Sequence, residues 1–482
     1  MLRLTHPTLD VEWDGMIVFF LEIDVKFLLS SVLALVLVFT NMAPVLAFCG
    51  FYVAKADTKL YNQASQVAIA RDGDRTILTM ANDYQGDAKD FAMVVPVPTV
   101  LKKEQVKVAN PSIIERLDAF SAPRLVEYFD ANPCDEPRML EADLARPSAV
   151  PAPIAQASKR AINEARGVTV EAQFNVGEYD IVILSAKESG GLETWLTESG
   201  YKIPKGAKDL LKPYIRQKLK FFVAKVNLEK FETSGFTKLR PIQIAYESPR
   251  YMLPIRLGMV NAQQAQDLIV YLLSPNGRAE VANYRTVRVP SDVNVPEFVK
   301  GEFNNFYKSM FTHSYDKENR NVAFLEYAWN MGNCDPCSAD PLSPDELKQA
   351  GVFWLEQPMG NNKQRSNRIW GGPRPMPQRS NVFITRLHVR YTRDKFPEDL
   401  MFQSTTNQDN FQGRYVMQHP FLEASTCDAG KKYRATLPAR FDKEAQTLAK
   451  LTGWKIEDIR RKLPKVDLKD VNWIDRFWGN AN

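Results

Sequence analysis

Apolar and β-branched residues fall in short runs through the first half of the chain. Gln66 to Ala70 and Arg75 to Met80 flank Asp72-Gly73, and two such runs around a two-residue Asp-Gly turn predict an antiparallel hairpin. Phe91 to Val97 is a further run, but Pro96 and Pro98 cannot donate ladder hydrogen bonds, so it is expected to be an edge strand or to end there. Part of Ile113 to Tyr128 has helical character. Val168 to Phe174 and Tyr179 to Leu184 predict a second strand pair around Val176-Gly177. Two helical segments follow, Leu192 to Ser199 and Ala207 to about Lys218, the second with a basic face. Sheet signals resume at Lys220 to Leu228, Ile242 to Tyr246, Tyr251 to Leu257, Leu268 to Leu273 and Arg278 to Val287, with Ser274-Pro275-Asn276-Gly277 as a turn.

The last third has a different texture. Ser343-Pro344-Asp345-Glu346 is an N-cap followed by proline at the first helical position, and Gly351 closes the short helix. Asn381 to Tyr391 alternates towards its end, Leu387, Val389 and Tyr391 against Arg386, His388 and Arg390, which predicts a half-solvated strand. Helices from about Asp442 to Leu451 and from Ile456 to Leu463 are joined by Thr452-Gly453-Trp454. The pattern predicts an α+β fold with an antiparallel, β-rich N-terminal part carrying inserted helices and a mixed, more helical C-terminal part. The expected division is a β-rich domain over residues 48–300, with a Pro/Ala-rich loop near 137–157, and an α+β domain over 301–482.

The start of the chain sets the expected compartment. Lys26 precedes the apolar run from Phe27 to Phe39, and Val45-Leu46-Ala47 follows as a small-residue exit, the order of a signal peptide. That run is shorter than the roughly 20 residues of a membrane-spanning helix, so no permanent span is expected after cleavage. Asp10, Glu12, Asp14, Glu22 and Asp24 put acid where a leader wants base, which points to a true start near Val25 and a misassigned residue 1–24 segment. Removing residues 1–47 raises the net charge from +5 to +8, since the leader holds two basic and five acidic side chains. The mature part is mildly basic, compatible with an anionic envelope component as partner and far below the clustered charge of a nucleic-acid binder.

Cys49, Cys134, Cys334, Cys337 and Cys427 all lie in the mature part, where an oxidising compartment favours disulfides. At most two bridges and one odd thiol follow, in a connectivity that spacing leaves open. Cys334-Asp335-Pro336-Cys337 could cycle between dithiol and disulfide, although the next helix begins well after Cys337. A staple within the pair, or from one of them to Cys427, is the structural alternative. With no second paired motif a metal is not expected, and no cofactor is implied. The mature histidines, His313, His388 and His419, fall in no catalytic motif, and His388 reads as a solvated side chain. Asp72 with Asp74 and Glu398 with Asp399 are carboxylate pairs of the kind glycan cleavage uses, but turn chemistry explains the first. Two basic tracts run from Lys202 to Lys220 and from Lys363 to Arg390. Arg365, Arg368 and Arg374 with Trp370 are the better anion-binding candidates.

Cys49-Gly50-Phe51, Ala64-Ser65-Gln66-Val67, Asp72-Gly73-Asp74-Arg75-Thr76, Asn82-Asp83-Tyr84-Gln85-Gly86 and Val95-Pro96-Val97-Pro98 form one block. Ser121-Ala122-Pro123-Arg124-Leu125-Val126-Glu127-Tyr128, Cys334-Asp335-Pro336-Cys337 and Phe411-Gln412-Gly413-Arg414-Tyr415 extend it. Through these residues the chain resembles the exported bacterial family catalogued as domain of unknown function 2330, over nearly all of the mature part. The resemblance implies export and a shared fold, and brings with it no reaction or catalytic residue. The expected function is that of a periplasmic or secreted envelope protein acting as a binding or structural module, with the residues leaning away from catalysis without excluding it. A thiol-disulfide redox protein is the alternative and an envelope hydrolase the third.

Overall fold

Strand side chains point alternately to opposite faces, and here both faces of two sheets are used, so the layers run helices, sheet, sheet, helices. The computed structural model describes residues 51–54, 61–85, 91–135, 168–201, 206–233, 239–260, 265–333, 335, 339–356, 381–423 and 427–465.

The larger sheet runs in the order β14 (Arg285–Arg288), β16 (Val322–Asn330), β17 (Phe383–Tyr391), β12 (Gln266–Ser274), β2 (Tyr61–Asp72), β3 (Arg75–Gln85), β10 (Ile242–Glu247) and β5 (Val106–Val108), with β19 (Phe411–Gln412) also paired to β16. The smaller runs β1 (Phe51–Ala54), β4 (Phe91–Val97), β9 (Lys220–Val226), β8 (Tyr179–Ala186) and β7 (Val168–Val176). Two small sheets flank them: β11 (Met252–Leu253), β18 (Leu400–Ser404) and β13 (Ala279–Val281), then β15 (Val293–Asn294), β20 (Arg414–His419) and β6 (Arg124–Phe129).

Val67 and Ile69 of β2, Val270 and Leu272 of β12, and Leu387 and Val389 of β17 face the smaller sheet, meeting Val95, Ile181, Ile183 and Phe222 in one core. Their neighbours Ala68, Ala70, Tyr271 and Leu273 point the other way, under α1 (Ser112–Ser121). The outer face of the smaller sheet, through Val94, Leu184, Phe221 and Val223, is covered by Leu192 and Leu196 of α2 (Ser189–Glu198) and Leu211 of α3 (Ala207–Arg216). A short α4 (Leu228–Thr233) follows β9. The larger sheet is further covered by α5 (Phe303–Lys317) and α6 (Pro344–Gln349), and α7 (Asp428–Thr452) and α8 (Ile456–Arg461) pack on α5 through Phe306, Met310, Leu448 and Ile459.

The α+β class holds. Asp72-Gly73 closes the β2–β3 hairpin, with Asp72 opposite Arg75 and Gly73 at φ +55°. Ser343 caps α6 in a capping box with Glu346. Strand β4 lies between β1 and β9 instead of at an edge, but β1 pairs only with Phe91 to Val94, so Pro96 faces a side with no ladder to feed. Helix α5 and strand β16 have no counterpart in the sequence reading. The helix reading from Asp442 begins too late, since α7 starts at Asp428 and passes Pro438. The expected division at 300/301 falls between β15 and α5. Strands β16 and β17 from beyond it join β2, β3 and β12 in one sheet and one core. The expected leader at 1–47 and the Pro/Ala-rich loop at 137–157 lie outside the described residues.

Candidate functional site

Three segments far apart in sequence, at Arg124, Asp335 and Gln412-Gly413, meet along β16. This strand is apolar from Val322 to Leu325 and then admits Glu326. Leu325 pairs with Leu387 and Tyr327 with Arg386, so Glu326 is an extra residue in the ladder. Such a bulge re-aims a side chain, and Glu326 is 1% exposed. The bulged backbone is caught by Gly413, whose N–H donates to the Glu326 carbonyl at 2.7 Å. A Cβ at Gly413 would lie 3.1 Å from that carbonyl and 3.0 Å from Val289, which accounts for glycine between Gln412 and Arg414. The Arg124 N–H donates to the Gly413 carbonyl at 3.0 Å. One residue past the bulge, the Tyr327 hydroxyl donates to Asp335 at 2.9 Å, and Gln412 Nε2 donates to the same oxygen at 2.9 Å. Asp335 is thus held to the sheet from two sides.

Glu326 is the hub of a buried string of charges. Arg386 Nε donates to it at 2.6 Å, and the Tyr307 hydroxyl from α5 donates to its other oxygen. Arg386 NH1 reaches Asp118 of α1 at 2.6 Å and the Tyr271 hydroxyl at 3.3 Å. His388 lies between two carboxylates, Nδ1 2.8 Å from Glu326 and Nε2 3.2 Å from Asp267, with its ring stacked on Phe311 at 3.8 Å. Arg390 completes the string on Asp267 at 2.7 and 2.8 Å.

Burial opposes the charge on Glu326, but Arg386 and His388 outweigh it and hold its carboxyl at about 2. Asp267 is likewise penalised by burial and held well below the usual range by His388 and Arg390. Burial pushes His388 down, and Glu326 and Asp267 prevail, leaving it raised above 6.5. With a carboxylate at each ring nitrogen and Phe311 against its face, His388 clamps β16 to β12. The reading of Arg386, His388 and Arg390 as a solvated face is corrected: α5 covers it, and acids from β12 and β16 neutralise it. The signal was a lone acid inside each of two apolar runs, Asp267 before Leu268 and Glu326 after Leu325.

The remaining candidates are placed as follows. Cys134 is bonded to Cys427 across 293 residues, tying the chain after β6 to the start of α7, where Cys427 Sγ accepts from Gly430 N–H at 3.2 Å. That pairing removes Cys427 as a partner for Cys334 or Cys337. Cys49, Cys334, Cys337, Arg365, Arg368 and Arg374 lie outside the described residues. His419 also sits between carboxylates, 2.7 Å from Glu297 and 2.9 Å from Glu127, and His313 lies against Gly453. Asp399 is saturated by Tyr214, Arg256 and the N–H groups of Ile255 and Arg256, so the Glu398–Asp399 pair is structural. In the Lys202–Lys220 tract, Lys212 is paired with Asp209 and Lys220 with Ser185 and Glu171. Among the described residues no three His, Cys, Asp or Glu side chains converge as metal ligands, and no helix is long and apolar enough to cross a membrane.

No curated protein and no solved structure matches the chain. A family model does, over residues 43–403, and it takes in the bulge at Glu326, Asp335 and the strands that carry the charged string. The chain belongs to the bacterial family described as an uncharacterized protein conserved in bacteria, domain of unknown function 2330.

Proposed function

We propose that this is an exported protein of the bacterial envelope, periplasmic or secreted, that acts as a binding or structural module. The observation that carries the reading is the Cys134–Cys427 disulfide. Cys134 is exposed, and an exposed bridge between distant segments persists in an oxidising compartment and is reduced in the cytosol. Two of the three mature histidines are held between carboxylates, which favours a module over a hydrolase.

Cell fractionation with alkylation before and after reductant tests this. The expected result is protein beginning near Phe48 in the periplasmic or external fraction, with Cys134 and Cys427 blocked until reduced. Full-length protein in the cytosol with both thiols free would overturn it.

A second reading is thiol-disulfide exchange at Cys334 and Cys337. It is favoured by the Cys-x-x-Cys spacing around Asp335, a residue that Tyr327 and Gln412 hold to the sheet. Titration of the two thiols decides it: one acidified thiol supports exchange, and two ordinary thiols remove it.

A further inference from the structure

A cleft of about 530 Å³ opens between the β2–β3 turn, Tyr251, the β12–β13 turn and the end of β18. That size suits one or two sugar rings, within the range of small-molecule sites.

Its base is Tyr251, more than nine-tenths buried, whose ring lies between the Arg71 guanidinium at 4.8 Å and the Phe402 ring at 5.2 Å. The Tyr251 hydroxyl is buried with no hydrogen-bond partner in the structure. Leaving such a group unsatisfied costs about 1–3 kcal/mol. Arg71 is committed elsewhere, to Thr76 at 2.7 Å, the Ser248 carbonyl at 3.0 Å and Asp74 at 3.5 Å. Its charge is therefore offset, and Asp72 is left as the unmatched carboxylate among the lining residues.

The walls are Asn276, Gln403 and Ser404, all exposed, which bring two amides and a hydroxyl with both donors and acceptors. They are held in place. A Cβ at Gly277 would fall 2.7 Å from the Asn407 carbonyl and 2.8 Å from that of Thr405, so the β12–β13 turn is pressed against the chain after β18. The Arg278 N–H to Asn407 carbonyl bond at 2.7 Å locks the contact.

Each ligand class makes a different demand on these groups. An anion meets Asp72 and Asp74 with Arg71 already occupied. A metal ion finds no three acidic, histidine or cysteine ligands among the described residues. An apolar ligand would strand the amides. Vicinal hydroxyls, each donor and acceptor at once, suit a carboxylate that accepts from two of them and amides that do both.

We propose that the cleft bounded by Asp72, Tyr251, Asn276, Gln403 and Ser404 is a binding site for a neutral saccharide. This rests on the binding-module reading and names its ligand class, whereas export is judged by fractionation alone, so the two fail separately.

Saturation-transfer NMR and calorimetry on the intact oxidised protein, with maltose, cellobiose and N,N′-diacetylchitobiose as probes, test the site. At least one probe is expected to bind with a single site. Asp72→Asn and the double variant Gln403→Ala/Ser404→Ala, all at accessible side chains, are expected to weaken it at least about tenfold, the scale of one lost hydrogen bond to a charged group. Absence of binding by all three probes, or binding that every one of these variants leaves unchanged, overturns the assignment.

Discussion

Both sheets carry helices on their outer faces, and the two interfaces are built by opposite means. Under α2 and α3 the contact is made by Leu192, Leu196, Leu211, Phe221 and Val223, which ask only for complementary volume. Under α5 and α1 it contains Glu326, Arg386, His388 and Asp267, each buried or nearly so. Apolar layers tolerate substitutions that conserve volume, whereas a buried charge is tolerable only while its partner is present. The first interface is therefore robust residue by residue, and the second fails as a unit.

The sharpest break is Glu326→Ala. It takes from Arg386 and His388 the buried carboxylate they share, leaving each with one acidic partner, and a loss of about 3–5 kcal/mol is expected from urea unfolding midpoints. A shift no larger than that of an exposed substitution would dissolve the contrast. Leu211→Ala, in the apolar layer, should cost roughly 2–5 kcal/mol through the cavity it leaves, and that loss should not vary with pH.

The pH profile of the unaltered protein comes next. Glu326 is held at about 2 against an ordinary 4.5, so its contribution is whole above pH 4.5 and disappears as pH falls towards 2. His388 is raised above 6.5, so its contribution is whole below that and is lost as pH rises through its folded pKa. Stability should pass through a plateau with a shoulder on each side. In Glu326→Gln the acid shoulder should flatten, while in Leu211→Ala both should persist; parallel curves for the two variants would count against the charged string. The smallest effect is expected for Asp118→Asn, less than about 1 kcal/mol, because that carboxylate is 41% exposed and water screens its pairing.

Local chemistry was legible in the sequence, and long-range pairing was not. The Asp72-Gly73 hairpin and the Ser343 N-cap with Pro344 behind it are written within a few residues and stand as expected. Helix α5 was missed because Phe303, Phe306, Tyr307 and Phe311 are better strand formers than helix formers, although their spacing is that of a helix face. The charged string escaped for another reason. Arg386 and His388 look solvated until Glu326, about sixty positions away, and Asp267, 121 positions away, are known to lie beside them. The bulge that aims Glu326 has no mark in the sequence at all.

At the centre of the larger sheet, β2 runs parallel to β12, so that Val67 lies beside Val270 and Ile69 beside Leu272. A parallel neighbour cannot be supplied by a tight turn, and here it comes from about two hundred residues downstream. The β2–β3 hairpin must therefore wait, one flank bare, until most of the polypeptide has been made. Contacts of such sequence separation close slowly, and a bare flank invites mispairing. Under the export proposed above, the same delay is useful: the architecture keeps the emerging chain pliable, and the sheet is completed only when both of its distant halves have arrived on the same side.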